Sequence, residues 1–358
     1  MTVAFERSMA TGTELARVDR SGMLAHIEST PDQLRQGYRA GRSVTIGEAR
    51  RVAFVGMGGS AIAADVFCGL ARDRSPVPME VVREAEPPPY LGEQDVLVAV
   101  SYSGDTQETV RAAQIALRKG CRLIAVISGG KLRDLARAHG ATIVEVPPGL
   151  PPRAAFGHLF GAILGLALGW LPSEFGGGLE PAARHLERLR SSYDPGVPAT
   201  RNRAKALARA IRDKTAVVYG APPYSPVALR WKTQLNENAK VHAFAASLPE
   251  ANHNELVGWS GDPAARRFVP VLLRDPEETA DVAARLDLFR AIIGRRATVR
   301  EVRDDGETRF ARVLGTLFLG DYVSLYLAVL LGRDPTPTPP IGELKRRLAR
   351  RAGRPSEK

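Results

Sequence analysis

A strand-and-helix alternation that runs twice constrains this chain more than any other feature. RVAFVG (51–56) is a short apolar run ending in glycine and leading into the helix-like SAIAADVFCGLA. MEVVRE (79–84), DVLVAVS (95–101), CRLIAVIS (121–128) and ATIVEVP (141–147) follow, with the amphipathic TQETVRAAQIALRKG (106–120) among them. The runs are apolar throughout, as strands buried on both faces are, and helices between strands make the sheet parallel. The plan restarts at TAVVYG (215–220), about 164 residues after the first strand, and continues through SPVALRWKTQLNENAK, KVHAFAA, FVPVLLR (268–274) and ATVREVR (297–303). The chain therefore reads as α/β, with two subdomains related by duplication, each a parallel sheet flanked by helices. The expected divisions are a helical segment over 1–49, a first subdomain over 50–187, a polar connector over 188–203 and a second subdomain with C-terminal helices over 204–358.

Composition closes off several classes. At 358 residues, 44% hydrophobic and 25% charged, the chain is globular and long enough for a large core. There is no run of eighteen apolar residues, so no membrane span is expected, and FGHLFGAILGLALGWL (156–171) and LFLGDYVSLYLAVLLG (317–332) read as buried helices. Residues 1–25 lack the pattern of a signal peptide. Cys68 and Cys121 have no metal-ligand spacing and read as buried thiols of a reducing cytosol. The net charge of +11 invites a nucleic-acid reading, but the arginines are dispersed and do not alternate with aromatic stacking residues. The dense basic cluster KRRLARRAGR (345–354) is confined to the C-terminus. No nucleic-acid partner is expected.

Chemistry enters at two loops of the first half. VGMGGSAIA (55–63) sets Gly58, Gly59 and Ser60 where a strand meets a helix, which lets backbone amides and the helix dipole approach an anion. GMGGSA also fits the dinucleotide pattern G-x-G-x-x-A, with Glu84 as the acid closing the second strand. The structural alternative is a tight turn with no ligand. SYSGDTQET (101–109) follows another strand and offers Ser101, Ser103 and Thr106. Asp105 with Glu108 resembles a capping box, which explains a helix start but not two serines. A phosphate monoester fits better, since it presents several oxygens to short neutral donors and helix dipoles.

GMGGS, SYSGDTQET, PPRAAF, QLNENAK, EANHNE and DPTPTPPIGELKRRL, in that order from about residue 50 to 348, closely resemble the bifunctional phosphoglucose/phosphomannose isomerases of the sugar isomerase (SIS) superfamily. The resemblance implies two SIS subdomains and an isomerase of glucose 6-phosphate or mannose 6-phosphate to fructose 6-phosphate, with no metal or other cofactor. It makes Glu237 the base that moves a proton between C1 and C2. His253 becomes the ring-opening group, supplied across a homodimer interface, and Arg153 the cation beside the enediolate. Lys345 then reaches the sugar, and Thr338 takes the position associated with accepting both C2 epimers. The carboxamides flanking Glu237 and His253 are expected to orient them. Each residue also has a plainer reading. Helical register sets Glu237 beside Thr233 and Lys240 as a solvated pair; His253 reads as a loop residue, Arg153 as a surface ion pair and Lys345 as an exposed helix residue.

One position departs from the family. Asp105 stands where Asn is common, and a carboxylate facing the phosphate would repel it unless it points away, caps a helix or pairs with a cation. Two competing functions stay open: a phosphosugar sensor without turnover, which would need no base, and an isomerase of a related amino-sugar phosphate. A dinucleotide oxidoreductase explains only the first loop.

Overall fold

The computed structural model describes residues 12–44, 46–172, 175 and 177–352. Residues 1–11 of the expected N-terminal segment and 353–358 of the basic terminus lie outside the described residues. Three helices precede the first strand: α1 (Gly12–Val18), α2 (Met23–Glu28) and α3 (Thr30–Arg42). The first half then runs β1 (Val52–Val55), α4 (Gly58–Ala71), β2 (Met79–Val82), β3 (Val96–Ser101), α5 (Gln107–Arg118), β4 (Arg122–Ile127), α6 (Gly130–Ala138), β5 (Thr142–Glu145) and α7 (Phe156–Ala167). Helices α8 (Leu179–Ser192) and α9 (Arg203–Ile211) bracket the passage between halves, so α8 runs into the stretch expected as connector. The second half comprises β6 (Thr215–Gly220), α10 (Ser225–Glu237), β7 (Ala243–Ser247), α11 (Glu255–Gly261), β8 (Phe268–Arg274), α12 (Ala280–Ile293), β9 (Arg300–Arg303), α13 (Arg309–Leu330) and α14 (Pro339–Ala352).

Both sheets are wholly parallel. Their orders, β2-β1-β3-β4-β5 and β7-β6-β8-β9, follow one plan, with the second sheet one strand shorter. Strand periodicity divides the core. Val52, Phe54, Val96, Val98 and Val100 face inward to α4 and α7, while Ala53, Val55, Leu97 and Ala99 face outward to α5 and α6. In the second sheet Val218, Val269 and Val271 join the same inner core, and Val217, Tyr219 and Leu272 face α11 and α12. Both faces of both sheets are thus covered, which is why the strands lack polar alternation.

One central core joins the halves. Helix α13, the longest apolar helix, lies buried within it and packs against α8, α9 and α10. The other apolar stretch forms α7, where Gly157, Gly161 and Gly165 line the face against α3. A Cβ at Gly161 would lie 2.3 Å from the Leu34 carbonyl oxygen, so only glycine permits this approach. Cys68 and Cys121 are free thiols, and burial pushes the Cys68 thiol up to about 12.

Candidate active site

β1 and β3 are neighbours, but the chain leaves them toward opposite edges of the sheet. Such a switch point opens a crevice at the carboxyl ends of the strands. The two glycine- and serine-bearing loops meet there. Helix α4 opens at Gly58, whose φ of 53° suits glycine, and no side chain caps it. A helix leaves its first amides without internal partners, which suits an anion. Ser60 is buried, and its Oγ accepts from the Tyr102 amide at 3.3 Å, joining the first loop to the second. Ser101, buried at the end of β3, donates its hydroxyl to Thr106 Oγ1 at 3.1 Å. Thr106 is the residue before α5 and makes no side-chain cap. Ser103 is exposed, with its Oγ accepting from the Asp105 amide at 3.3 Å.

Asp105 does not form the capping box with Glu108. Its Oδ1 accepts from the Lys131 amide at 3.1 Å, at the start of the neighbouring helix α6. The two loops interlock: a Cβ on Gly104 would lie 1.7 Å from the Gly129 carbonyl oxygen, and Gly130 holds φ at +75°. A carboxylate on another helix's first turn interacts favourably with that helix's dipole. The one departure from the family pattern is therefore engaged by α6.

The segment after β5 carries Arg153 to the same crevice. The Tyr102 hydroxyl donates to the Pro147 carbonyl at 2.8 Å and accepts from the Leu150 amide at 3.0 Å, tying PPGL to the second loop. A Cβ on Gly59 would lie 3.0 Å from Arg153 Cα, so the first loop rests directly on the arginine backbone. Arg153 is 5% exposed. Its Nε–H donates to Asn238 Oδ1 at 2.6 Å, and its Nη2 donates to the carbonyls of Pro335 (2.7 Å) and Thr336 (2.9 Å). Nη1 lies 3.5 Å from Glu237 Oε2. Burial lowers the pKa of this guanidinium, opposed by Glu237 and reinforced by Arg230, yet arginine stays charged.

Glu237 is the last residue of α10 and is 27% exposed, facing Arg153 rather than a lysine side chain. Helical register beyond it does not hold. Lys240 turns to a φ of 56° and folds its ammonium back onto the carbonyls of Glu237 (2.8 Å), Asn238 (3.3 Å) and Pro335 (2.7 Å). Burial, with Arg153 nearby, pulls this amine down to about 8, against the opposing charges of Asp334 and Glu237. The carboxamides also act differently from expectation. Asn238 holds Arg153, Asn236 donates to the Val241 carbonyl, and Asn254 donates to Glu250. A helix terminus turns side chains away from the helical register, so neighbours in sequence reach different partners.

Thr338 shares a depression of about 580 Å³ with Glu237, Lys232 and Lys240, where its carbonyl receives the first amides of α14. His253 of the same chain is not brought to Glu237. Glu237 precedes the amino end of β7, and exposed His253 follows its carboxyl end, separated by about 15 Å of strand. Lys345 is exposed on α14 without a hydrogen bond or ion pair among the described residues. His26 was not singled out by the sequence. This half-buried imidazole lies on α2, which packs on the Pro152–Ala154 turn; burial lowers its pKa, Asp19 opposes this, and Arg153 adds to it. Among the described residues, His185, Asp304 and Asp305 set ligand atoms within 4.8 Å of one another. His185 Nε2 is engaged by Asp304 at 2.7 Å and Nδ1 by Arg188 at 3.2 Å, so both ring nitrogens already have protein partners.

A carboxylate against a buried guanidinium, beside an anion-receiving crevice, suits proton transfer at a carbon whose neighbouring oxygen gains charge. Residues 45–148 match the SIS domain, and residues 200–348 match the bacterial phospho-glucose isomerase C-terminal SIS domain. The chain is 36% identical over 336 residues to a bifunctional phosphoglucose/phosphomannose isomerase of Caldicellulosiruptor bescii, covering 91% of this chain and 99% of that one. It is 33% identical to the Aquifex aeolicus protein of the same name, over 84% of this chain and 91% of that one. Its fold is similar to that of a hypothetical protein from Thermus thermophilus, with a TM-score of 0.73 at 17% identity, covering 98% and 94% of the two chains.

Proposed function

The chain belongs to the bifunctional phosphoglucose/phosphomannose isomerase family, and from that premise we propose that it interconverts glucose 6-phosphate or mannose 6-phosphate with fructose 6-phosphate. The phosphate lies on Gly58, Gly59, Ser60, Ser101, Ser103 and Thr106, held by backbone amides and hydroxyls. In the opened aldose, Glu237 removes the C2 proton, leaving an enediolate whose negative O1 faces the Arg153 guanidinium. Glu237 returns the proton to C1 while the O2 proton passes to O1, giving the ketose. Rotation about the C2–C3 bond turns either face of the planar enediolate toward the one carboxylate, which then serves both C2 epimers, and Thr338 beside it accommodates both hydroxyl orientations. No metal takes part.

The contact between Glu237 and Arg153, resting on the first phosphate loop through Gly59, is the observation that carries this reading. Ring opening falls to His253 of a second copy, because one protomer's His253 lies at the far end of β7 from its Glu237. Lys345 approaches the sugar from α14. The working form is thus a homodimer, and the free, buried or half-buried thiols suit the reducing cytoplasm. A coupled assay with glucose 6-phosphate, mannose 6-phosphate and glucosamine 6-phosphate tests the assignment. Turnover of the first two, unaffected by EDTA, is expected. Binding without turnover would favour the sensor, and turnover of the amino sugar alone would change the substrate.

A further inference from the structure

The most apolar helix of the chain buries a charge that the isomerase assignment leaves unexplained. Asp321 is 2% exposed in the middle of α13, surrounded by core residues. Its carboxylate accepts from Arg230 Nε (3.0 Å) and Nη2 (2.7 Å) and from Gln234 Nε2 (2.9 Å), all on α10. Burying an ion in an apolar helix is costly, and an apolar pair often serves stability as well or better. The ions therefore call for an explanation other than stability.

Their connections supply one. Arg230 lies over the Phe156 ring at 4.6 Å, and its Nη2 also donates to the Arg153 carbonyl at 3.1 Å. The Asp321 carbonyl accepts from the Ser324 hydroxyl at 2.7 Å; Ser324 Oγ accepts from Asn238 Nδ2 at 2.9 Å, and Asn238 holds Arg153 Nε. Arg153 is thus gripped twice from one place, at its backbone through Arg230 and at its side chain through Asn238. Helix α10 supplies Arg230 and ends at Glu237, and Asn238 is the residue that follows it. The two helices meet closely where this happens. A Cβ on Gly320 would lie 2.3 Å from Trp231 Nε1, and that indole donates to the Thr316 carbonyl at 3.0 Å.

We propose that Asp321 is a positioning residue for the isomerase reaction: through Arg230 it fixes where the Arg153 guanidinium stands relative to the Glu237 carboxylate. The proposal rests on the roles of Glu237 and Arg153 given above. Asp321 touches no substrate. It holds the guanidinium where the enediolate oxygen forms, so its loss lowers turnover more than substrate affinity.

The test uses the whole protein, with Asp304→Asn as a matched control. Asp304 is also buried and packs on α13 at Gly315, but its partners are His185 and the Gly306 amide rather than Arg230. Asp321→Asn is expected to lower kcat by ~10–100-fold, the effect of a misplaced reacting group, while KM changes less than about threefold. Asp304→Asn is expected to lower stability and leave kcat per folded molecule unchanged. Arg230→Met/Asp321→Leu replaces the pair by apolar groups, and keeps the proposal testable if Asp321→Asn fails to fold. Stability near that of the wild type with kcat still at least ~10-fold down supports positioning. Wild-type kcat in the double variant, or equal kcat losses in Asp321→Asn and Asp304→Asn, overturns it. If Glu237→Gln also keeps full turnover, the active-site assignment itself falls, whereas loss in Glu237→Gln alone removes only the role of Asp321.

Discussion

The carboxyl ends of β3 and β8 occupy the same place in two sheets of one plan, yet the sequence treats them in opposite ways. After β3 come Ser101, Ser103, Gly104 and Thr106, small neutral donors around an open crevice. After β8 come Arg274, Asp275, Glu277 and Glu278, and the space is filled. Asp275 accepts from the Tyr224 hydroxyl at 2.9 Å and from Arg312 Nε at 3.1 Å, while Arg274 pairs with Glu278, Asp287 and Glu301. A doubly wound sheet offers an anion site at its switch point only if side chains leave the backbone amides free and the local charge non-negative. The first half surrounds its switch point with small neutral side chains and turns the Asp105 carboxylate toward α6. The second replaces them with an ionic plug and contributes α10, whose far end carries Glu237. In the proposed mechanism one copy binds the phosphate, and the other supplies the base.

The largest test of this contrast is substrate affinity. Ser101→Ala/Ser103→Ala removes two hydrogen bonds to a charged group, each worth about 1.5–3 kcal/mol, so KM for the phosphosugar should rise about 10²–10⁴-fold. Glu277→Ala, in the corresponding loop of the second half, should leave KM within about twofold of wild type. Steady-state kinetics on both variants reads the difference. A normal KM in the double serine variant would move the phosphate elsewhere.

Stability should show the reverse. Asp275→Ala leaves buried Arg312 with Glu277 as its one remaining carboxylate partner and the Tyr224 hydroxyl without its acceptor, which costs about 1–3 kcal/mol in denaturant unfolding. Substrate affinity should be unaffected, because the proposed phosphate site lies on the first sheet. A large rise in KM would show that the plug shapes the site after all.

The last contrast is a pH effect that belongs to the first half. His158, buried on α7 with no hydrogen-bond partner for Nδ1 among the described residues, has its pKa lowered by burial to about 4. The unfolded chain binds that proton near pH 6.5, so between 6.5 and 4 the unfolded state carries more protons than the folded one. Stability is therefore full above pH 6.5 and declines as pH falls to 4, by up to about 3 kcal/mol. Equilibrium unfolding of His158→Asn should show a flatter acid limb than wild type. An unchanged limb would mean that other groups set it.

Much of the fold was readable in the residues because it depends on local pattern. The apolar runs at 51–56, 95–101, 121–128, 215–220 and 268–274 each contain a strand, and GMGGS and SYSGDTQET mark the switch point. What escaped depends on contacts between distant segments. Asp105 looked like a cap for its own helix, and only the fold brings Gly130 beside it, so that it serves α6 instead. Glu237 looked like a partner of Lys240, but the helix ends there and Arg153 lies across from it, 84 residues away in sequence. Asp321 carried no pattern at all, since its meaning depends on Arg230 of another helix. Residue type suggested the chemistry, and the fold decided which groups meet.

Proton exchange at C2 tests the central claim most directly, that Glu237 is the base. In deuterated water, wild-type protein should incorporate deuterium at C2 of the aldose 6-phosphates and at C1 of fructose 6-phosphate. Glu237→Gln keeps size and hydrogen-bonding reach but cannot take the proton, and general-base catalysis contributes about 10²–10⁴-fold. Exchange followed by NMR should fall by that order in Glu237→Gln while the phosphosugar still binds. Undiminished exchange in Glu237→Gln would contradict the account.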